Sequence, residues 1–187
     1  MPRNWVARYG YSVQAVVKIA RVLAEYCKGP MDRLDIRIVD ILQRRGDLTH
    51  AELAEAVGST PSTCLRRVRS LQKAGILTRN VFLADGAKLG RGLRAIITVT
   101  TKDYDLARRA AFAKSVGAEP AISYAYGVTG DLDAILIGNF RDMVEYQATC
   151  DRLFDGDKNI TRYTTHFISE TYKDDPAIPC DPALSGG

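Results

Sequence analysis

The hydrophobic and polar positions between Leu48 and Leu77 predict two short helices joined by a tight turn. Thr49 is followed three residues later by Glu52, which is the capping-box spacing at the start of a helix. An apolar stripe then leads to Gly58, whose permissive backbone suits a sharp exit. The first helix of the pair is therefore expected between Thr49 and Gly58.

The second helix of the pair is expected to follow at once. Thr60 is a favourable N-cap, Pro61 suits the first helical position, and Gly75 is a C-terminal stop. Successive helical residues are about 100° apart, which separates an apolar face from a polar one. The apolar face comprises Pro61, Cys64, Leu65, Val68 and Leu71. The polar face comprises Ser59, Ser62, Thr63, Arg66, Arg69, Ser70 and Lys73, with Arg67 on its flank.

Between Ser62 and Lys73 the chain has four cations and no anion. A basic second helix after a tight turn is typical of a helix-turn-helix, whose second helix enters a DNA major groove. The alternative is an ordinary solvated helix, because basic faces are common on protein surfaces. The capping box, the tight turn and the absence of acids together favour double-stranded DNA as the partner.

Another helix is predicted just before this pair, over Asp32–Arg45, because apolar residues recur there at helical spacing. It would complete a winged-type trihelical helix-turn-helix domain over residues 31–80. Residues 79–83 look extended, and Asp85-Gly86 is a turn signal. We therefore expect a hinge at residues 81–92.

From Leu93 onward, alternating strand patterns are separated by helical ones. The expected strands are residues 93–101, 121–129, 132–140 and 160–172, and the expected helices are residues 104–116 and 143–153. The order βαββαβ is the ferredoxin-like (ACT-like) unit, here over residues 93–173, so the fold class is α+β. Its helices would cover one sheet face, and the uncovered face and edges argue for a homodimer. Residues 174–187, with three prolines, are expected to form a disordered tail.

Residues 1–30 precede this arrangement. Residues 13–27 have the spacing of an amphipathic helix, but Lys18 and Arg21 interrupt its apolar run. The segment is therefore neither a membrane span nor a good signal-peptide core. Three interpretations stay open, namely an extra helix, a mobile basic arm, or residues translated upstream of a true start at Met31.

The charge is unevenly distributed along the chain, although the net value is only +4. Residues 1–30 hold five basic and one acidic residue, residues 31–80 hold nine and six, and residues 81–187 hold twelve and fifteen. This asymmetry indicates one module that faces nucleic acid and a second module that meets a different partner.

The sequence contains no pattern that indicates catalysis. Cys27, Cys64, Cys150 and Cys180 are widely spaced, which suggests neither a disulfide framework nor a zinc site. His50 and His166 are far apart, and there is no phosphate-cradling loop. We therefore predict no catalytic residues, no cofactor, no metal and no enzyme activity.

This arrangement resembles that of the Lrp/AsnC (feast/famine) transcription regulators. LDIRIVDILQRRGDLTHAELAEAVG looks like the opening helices of that family, and STPSTCLRRVRSLQKAGIL resembles its recognition helix. KLG at residues 88–90 resembles its hinge, and YGVTGDLDAIL at residues 126–136 resembles the turn between its second and third strands. The resemblance covers residues 31–173. Because family members begin near a residue equivalent to Met31, it favours the upstream-start interpretation.

The resemblance implies a sequence-specific DNA-binding regulator in the cytoplasm, with no membrane association. Its C-terminal domain would form dimers, which often assemble into octamers. A small effector, frequently an amino acid, would bind where dimers meet. On the DNA, we expect Ser62, Thr63 and Arg66 to read base edges. The residues expected to contact phosphates are Ser59, Arg67, Arg69 and Lys73.

The expected effector residues lie in the turn between the second and third strands, and are Val128, Thr129, Gly130, Asp131 and Asp133. Gly130 lets the backbone expose N–H groups that can hold a carboxylate. Asp131 or Asp133 could accept a hydrogen bond from an ammonium group. The alternative is a hairpin turn in which Gly-Asp only supplies the geometry.

One departure from the family and two rival functions leave alternatives open. Leu132 and Ala134 stand where family members often carry an aromatic residue, so the effector's identity, and whether one exists, stay open. Some relatives act as sirohaem decarboxylases that use histidines, whereas this C-terminal domain holds only His166. A module that keeps the helix pair only as a scaffold is the remaining alternative.

Overall fold

The computed structural model describes residues 31–102 and 106–180, so the interpretations of residues 1–30 lie outside the described residues. The described chain forms two compact units. The first comprises residues 31–82 and 174–180, and the second is Leu83–Lys173. No helix among the described residues is long and apolar enough to cross a membrane.

The first unit contains three helices, α1 (Arg33–Leu42), α2 (His50–Val57) and α3 (Pro61–Lys73). The capping box at the start of α2 is confirmed, because the Thr49 and Glu52 side chains each accept from the other's backbone N–H. Gly58 then adopts a left-handed conformation with φ of 67°, which allows α3 to begin three residues later. Thr60 caps α3 as expected, with Pro61 as its first residue.

Helix α1 is shorter than predicted. It was expected to reach Arg45, but it ends at Leu42. The backbone N–H groups of Arg44 and Arg45 both donate to the carbonyl of Ile41, which closes a turn instead of continuing the helix. The carbonyl of the following Gly46 accepts from the Asn80 side chain.

The three helices of the first unit pack around a small apolar core. Its fully buried members include Ile38 of α1, Leu53 and Val57 of α2, and Cys64 of α3. The Cys64 side chain is small, so it lets α3 approach its neighbours closely while excluding water. Pro61, which a helical wheel places on the apolar face, is exposed, since α3 has not yet reached the core at its first turn.

Residues 79–83 pair with no strand in the described part of the chain, although they were expected to be extended. Val81, Phe82 and Leu83 are exposed there. A single extended segment can satisfy its backbone groups in a sheet only when a second strand lies beside it. The Asp85-Gly86 turn forms as predicted, because the Asp85 carboxylate accepts from the backbone N–H of Ala87.

The segment after residue 173 differs from the expected disorder as far as it is described. Residues 174–180 belong to the first unit. The Gln43 side chain donates to the carbonyl of Ile178 at 3.0 Å and accepts from its backbone N–H at 2.7 Å. Cys180 also packs against the core of the three helices. The sequence composition did not reveal this contact, because the binding group is a single glutamine far away in sequence.

The second unit has the expected βαββαβ order. Its strands are β1 (Leu93–Thr101), β2 (Ile122–Gly127), β3 (Ala134–Phe140) and β4 (Ile160–Phe167). Its helices are α4 (Leu106–Gly117) and α5 (Met143–Cys150), and α5 continues into a π-helical turn, Asp151–Asp155. The antiparallel sheet has the order β2-β3-β1-β4. The α+β class and the ferredoxin-like arrangement are therefore confirmed.

The strands beside the predicted effector turn are shorter than the sequence suggested, and so is β4. β2 stops at Gly127 and β3 starts at Ala134, because the backbone N–H of Val128 donates to Asp133 and closes the turn. β4 was expected to reach Tyr172 but ends at Phe167. Its pairing with β1 ends at Ala95 and Phe167, followed by one hydrogen bond from the Ile168 N–H to the Arg94 carbonyl, and β1 itself begins only one residue earlier, at Leu93.

The two faces of the sheet differ in burial. Ile97 and Leu136 point toward the helices, and they are fully buried together with Cys150. Gly138 is required on this face, since a Cβ there would lie 2.5 Å from the ring of Phe140.

The opposite face, which we call the open face, is apolar but only partly covered. Ile96 of β1 pairs with Ile137 of β3 on this face. Tyr124 and Tyr126 of β2 stack with ring centroids 6.2 Å apart, and their exposed fractions are 48% and 51%. An exposed apolar patch rimmed by polar residues is typical of a protein–protein contact.

Glu145 connects α5 to Arg141, just before that helix, and to Arg91, just before β1. Its carboxylate accepts from the backbone N–H of Arg141 at 2.7 Å and from the Arg91 guanidinium at 3.0 Å. The hydrogen bond from the Arg141 backbone, followed by those from Arg91, holds the pKa of Glu145 below its ordinary value of 4.5. The ionised carboxylate therefore stabilises the folded second unit.

We expect Glu145→Gln to lower the free energy of unfolding at pH 7 by about 1–3 kcal/mol, because hydrogen bonds to a charged group are lost. Since the folded pKa is depressed, the contribution of Glu145 is present above the unfolded pKa and is lost as pH falls through the folded pKa. Denaturant unfolding at several pH values should show the difference from the wild type narrowing on acidification. Glu170→Gln, at an exposed position, is the control, and a difference that stays constant with pH would contradict the assignment.

We expect Gln43→Ala to release residues 177–180 from the first unit, because the Ile178 backbone loses both hydrogen bonds to the side chain. Hydrogen exchange of the Ile178 N–H should become roughly fivefold faster for a lost bond worth ~1 kcal/mol. Gln72→Ala removes an exposed glutamine from α3 and is the matched control. Equal exchange in both variants would show that Gln43 does not hold the segment.

Candidate DNA-binding surface and ligand site

The outer face of α3 carries a row of cations. Arg66, Arg69 and Lys73 are exposed, whereas Cys64 and Leu71 on the other side are buried in the core. Residues three and four apart lie on one helix face, so the three cations form a stripe about 10 Å long. A stripe of this length can contact successive phosphates of a DNA backbone.

The start of α3 is held in a defined conformation by hydroxyl groups. The Thr60 hydroxyl accepts from the backbone N–H of Thr63 at 3.3 Å and donates to its hydroxyl at 2.9 Å. Ser62 is exposed and its hydroxyl lies 3.2 Å from that of Thr60. Ser59 is half-buried beside this start. The first turn contains no acid, so the positive end of the helix dipole is not neutralised there.

Arg67 does not fit the expected role of a phosphate contact. Its guanidinium Nη1 lies 2.6 Å from Asp32 and 3.0 Å from Asp35, both at the start of α1. Its side chain is 28% exposed, and its Nε is buried without a hydrogen-bond partner in the described chain. We therefore correct the assignment, because this cation is engaged within the domain. Sequence reasoning missed the pairing because it compared residues along one helix only.

The predicted effector turn is exposed and closely bonded to β1. Gly130 has a φ of 126°, a conformation that L-residues with side chains rarely adopt. The Asp133 carboxylate accepts from the Thr101 backbone N–H at 2.7 Å and from its hydroxyl at 3.0 Å through Oδ2. Asp131 is exposed at the tip of the turn. One of the two candidate acids thus already has a structural function.

A cavity of about 760 Å³ lies beside this turn, between α4 and β2. Its walls are mainly apolar, with Phe112 and Val116 on α4 facing Ile122 and Leu136 of the sheet. Of the five predicted effector residues, only Asp133 lines it, whereas Val128, Thr129, Gly130 and Asp131 belong to the adjacent exposed turn.

Polar groups stand at the margin of this cavity. Arg109 lies close to the backbone at the start of the turn, since a Cβ on Gly127 would be 3.1 Å from its Nη2. Arg108 donates to the Asn159 side chain at 3.3 Å. Sequence reasoning missed these residues, because only the packing of α4 on the sheet brings them to the turn.

The described residues contain no group of three or more His, Cys, Asp and Glu side chains that could hold a metal ion. His50 and His166 are both exposed and belong to different units. Burial raises the pKa of the Cys150 thiol, so this cysteine is a protonated core residue at neutral pH. Among the described residues, the candidate binding sites are therefore the outer face of α3 and the turn around Gly130 with its neighbouring cavity.

Comparisons with known proteins agree on both units. A winged helix-turn-helix DNA-binding model matches residues 31–78, and the Lrp/AsnC ligand-binding domain model matches residues 94–178. The chain is 34% identical to the leucine-responsive regulatory protein of Rhizobium meliloti over 125 residues, which is 64% of this chain and 80% of that protein.

Two solved structures are similar over most of their length. The chain is 31% identical to a transcriptional regulator of Neisseria meningitidis crystallised with L-methionine, with a TM-score of 0.74, 80% of this chain covered and 96% of that one. It is 28% identical to an AsnC-family regulator of Agrobacterium tumefaciens, also with a TM-score of 0.74, with 80% and 97% covered.

Proposed function

Because the chain belongs to the Lrp/AsnC family of transcriptional regulators, we propose that the outer face of α3 reads DNA and that the turn and cavity of the second unit bind an amino acid. The observation that carries the first part is the one-sided charge of α3, whose cations are exposed while its other face is buried. A regulator of this kind acts where the chromosome is, so the cytoplasm is the location that we propose.

On DNA, the start of α3 enters the major groove. The short side chains of Ser62 and Thr63 bring the helix close to base edges, and Arg66 is long enough to form two hydrogen bonds to a guanine. Arg69 and Lys73, further along the same face, contact phosphates and fix the register of the helix. Ser59, just before the helix, adds a further contact to the backbone of the DNA.

Two copies of α3 are needed for an extended operator, and the open face of the sheet is the surface that brings two chains together. Its stacked tyrosines are about half exposed and its isoleucines are only partly buried, as expected of a surface that contacts another chain. In a dimer with two-fold symmetry, the two recognition helices meet half-sites about 34–36 Å apart, or a multiple of that distance. Association of dimers up to an octamer would let one assembly contact several such sites.

The effector is an amino acid with an apolar side chain. Backbone N–H groups of the turn around Gly130 suit its carboxylate, and Asp131 is an exposed acceptor for its ammonium group. The neighbouring cavity has apolar walls and ample volume for the side chain. Two relatives support this class, since one is named leucine-responsive and another was crystallised with L-methionine. The effector alters DNA binding only if the assemblies bind it with different affinities.

We expect Arg66→Ala to cost roughly 1–3 kcal/mol of binding free energy and to relax the sequence preference, because a base contact is lost. Lys73→Ala should weaken binding on all sequences and reduce the salt slope by about one. Titration of a selected operator fragment and a scrambled duplex at several salt concentrations measures both. Lys114→Ala removes an exposed cation from α4 and is the matched control. If Arg66→Ala keeps both affinity and preference, Arg66 does not read bases.

We expect Asp131→Asn to weaken binding of the effector by about 10- to 100-fold, because a charge-assisted hydrogen bond worth roughly 1.5–3 kcal/mol is lost. Calorimetric titration with leucine, methionine and glutamate measures the effect and tests the preference for apolar side chains. Asp47→Asn changes the same charge in the first unit and is the control. Unchanged affinity in Asp131→Asn would assign the turn a purely structural function.

A further inference from the structure

Arg67 stands at the middle of α3, but its charge is directed into the domain. Both of its ion-pair partners belong to the first turn of α1, and the Asp35 side chain is only 12% exposed. The Nη1 of Arg67 contacts both carboxylates, so this nitrogen is engaged inside the domain and does not face DNA. Its conformation thus separates it from Arg66 and Arg69, which precede and follow it by one and two residues and are exposed.

We propose that Arg67 is a positioning residue for DNA recognition, which fixes the orientation of α3 on α1 through Asp32 and Asp35 and so directs Ser62 and Arg66 at base edges. This inference rests on the proposed DNA-binding function of α3. On this proposal Asp32 and Asp35 increase the affinity for DNA, although their negative charges alone would reduce it.

The two carboxylates are suited to this function because they are themselves fixed to the backbone. Asp32 Oδ1 accepts from the Asp35 N–H at 2.9 Å, and Asp35 Oδ2 accepts from the Asp32 N–H at 3.3 Å. This reciprocal capping box leaves neither side chain free to follow a moving partner. A guanidinium bound to both acids is therefore tied to the backbone of α1.

Burial of Cys64 and Leu71 fixes which face of α3 is turned to the core. Hydrophobic burial is not directional in the way that an ion pair is, so it constrains the tilt of the helix less closely. Ser62 is five residues from Arg67, which is ~7.5 Å along the helix, so a tilt of about 10° around Arg67 moves the helix start by ~1.3 Å. Hydrogen bonds occupy a range of only about 0.5 Å, so a displacement of this size breaks contacts with base edges.

The local energetics fit an orienting role better than a purely stabilising one. The Nε of Arg67 is buried without a hydrogen-bond partner in the described chain. A buried donor left unpaired lowers stability, so an apolar side chain would pack here at less cost. An ion pair nevertheless imposes a distance and an angle that apolar packing does not.

Asp32→Asn gives the sharpest test, because a purely electrostatic effect and a loss of positioning would change the operator affinity in opposite directions. Asparagine caps a helix as well as aspartate, so the start of α1 is preserved, while the charge that faces Arg67 is removed. Loss of an acid near DNA should by itself strengthen binding. Positioning instead predicts about tenfold weaker binding to the operator, equivalent to ~1.4 kcal/mol, with binding to a scrambled duplex retained.

The matched control is Asp40→Asn. It removes the same charge from the same part of the domain, and its partner is Arg44, two residues beyond the end of α1, not a residue of α3. We expect its operator affinity to be equal to or slightly greater than that of the wild type. Operator binding by Asp32→Asn that equals or exceeds that of Asp40→Asn would overturn the proposal.

Arg67→Met provides a second, independent measurement. If Arg67 contacts no phosphate, operator affinity falls by about tenfold while the slope of log affinity against log salt stays unchanged. Arg69→Met on the exposed face should instead reduce that slope by about one. Circular dichroism melts establish that each variant is folded at the assay temperature. A slope reduced in Arg67→Met as in Arg69→Met would overturn the positioning role.

The same titrations separate this inference from the function on which it rests. If Arg66→Ala and Arg69→Met weaken operator binding while Asp32→Asn and Arg67→Met do not, DNA recognition by α3 stands and the positioning role is wrong. If the wild-type protein shows no salt-dependent preference for any duplex, the proposed function fails and the inference falls with it.

Discussion

Helix α3 can present a row of cations to solvent only because its other face is buried against α1 and α2. Cys64 and Leu71 occupy the core on one side of the helix, while Arg66, Arg69 and Lys73 emerge on the other. If the helix were free to rotate, its cations would have no fixed direction and could not read a groove. One-sided burial thus turns an ordinary basic sequence into a surface that can recognise DNA.

Burial of one face also organises the second unit, but there only one of the two sheet faces is covered. The α4 and α5 helices cover one face of the sheet and bury Ile97 and Leu136 completely. The open face keeps its isoleucines and the stacked Tyr124 and Tyr126 partly accessible. The open face is therefore the surface through which we propose that two chains associate.

The two acids of the predicted turn differ in their contacts. Asp133 binds Thr101 of β1 and keeps the turn against the sheet, whereas Asp131 at the tip remains exposed. The cavity beside them has apolar walls supplied by α4. The proposed DNA-reading residues all belong to the other unit.

Most of the fold was predictable from local patterns in the sequence. The Thr49 capping box, the Thr60-Pro61 helix start, Gly58 and the βαββαβ order all involve neighbours along the chain, so periodicity and turn chemistry determine them. The sequence predicted the ends of elements less accurately, such as the end of β4 at Phe167, because a strand continues only as far as its partner pairs with it. The exposed cations of α3 were likewise evident from a helical wheel.

By itself, therefore, the sequence determined which elements form, in which order, and which face of α3 is basic. The tertiary structure decided which of those side chains are free to bind a partner and which are engaged within the protein. It paired Arg67 with Asp32 and Asp35 across 35 and 32 positions, bound Ile178 to Gln43 across 135, and brought α4 to the turn around Gly130. These contacts join groups distant in sequence, and their strength depends on distance and burial in three dimensions, which no local pattern records.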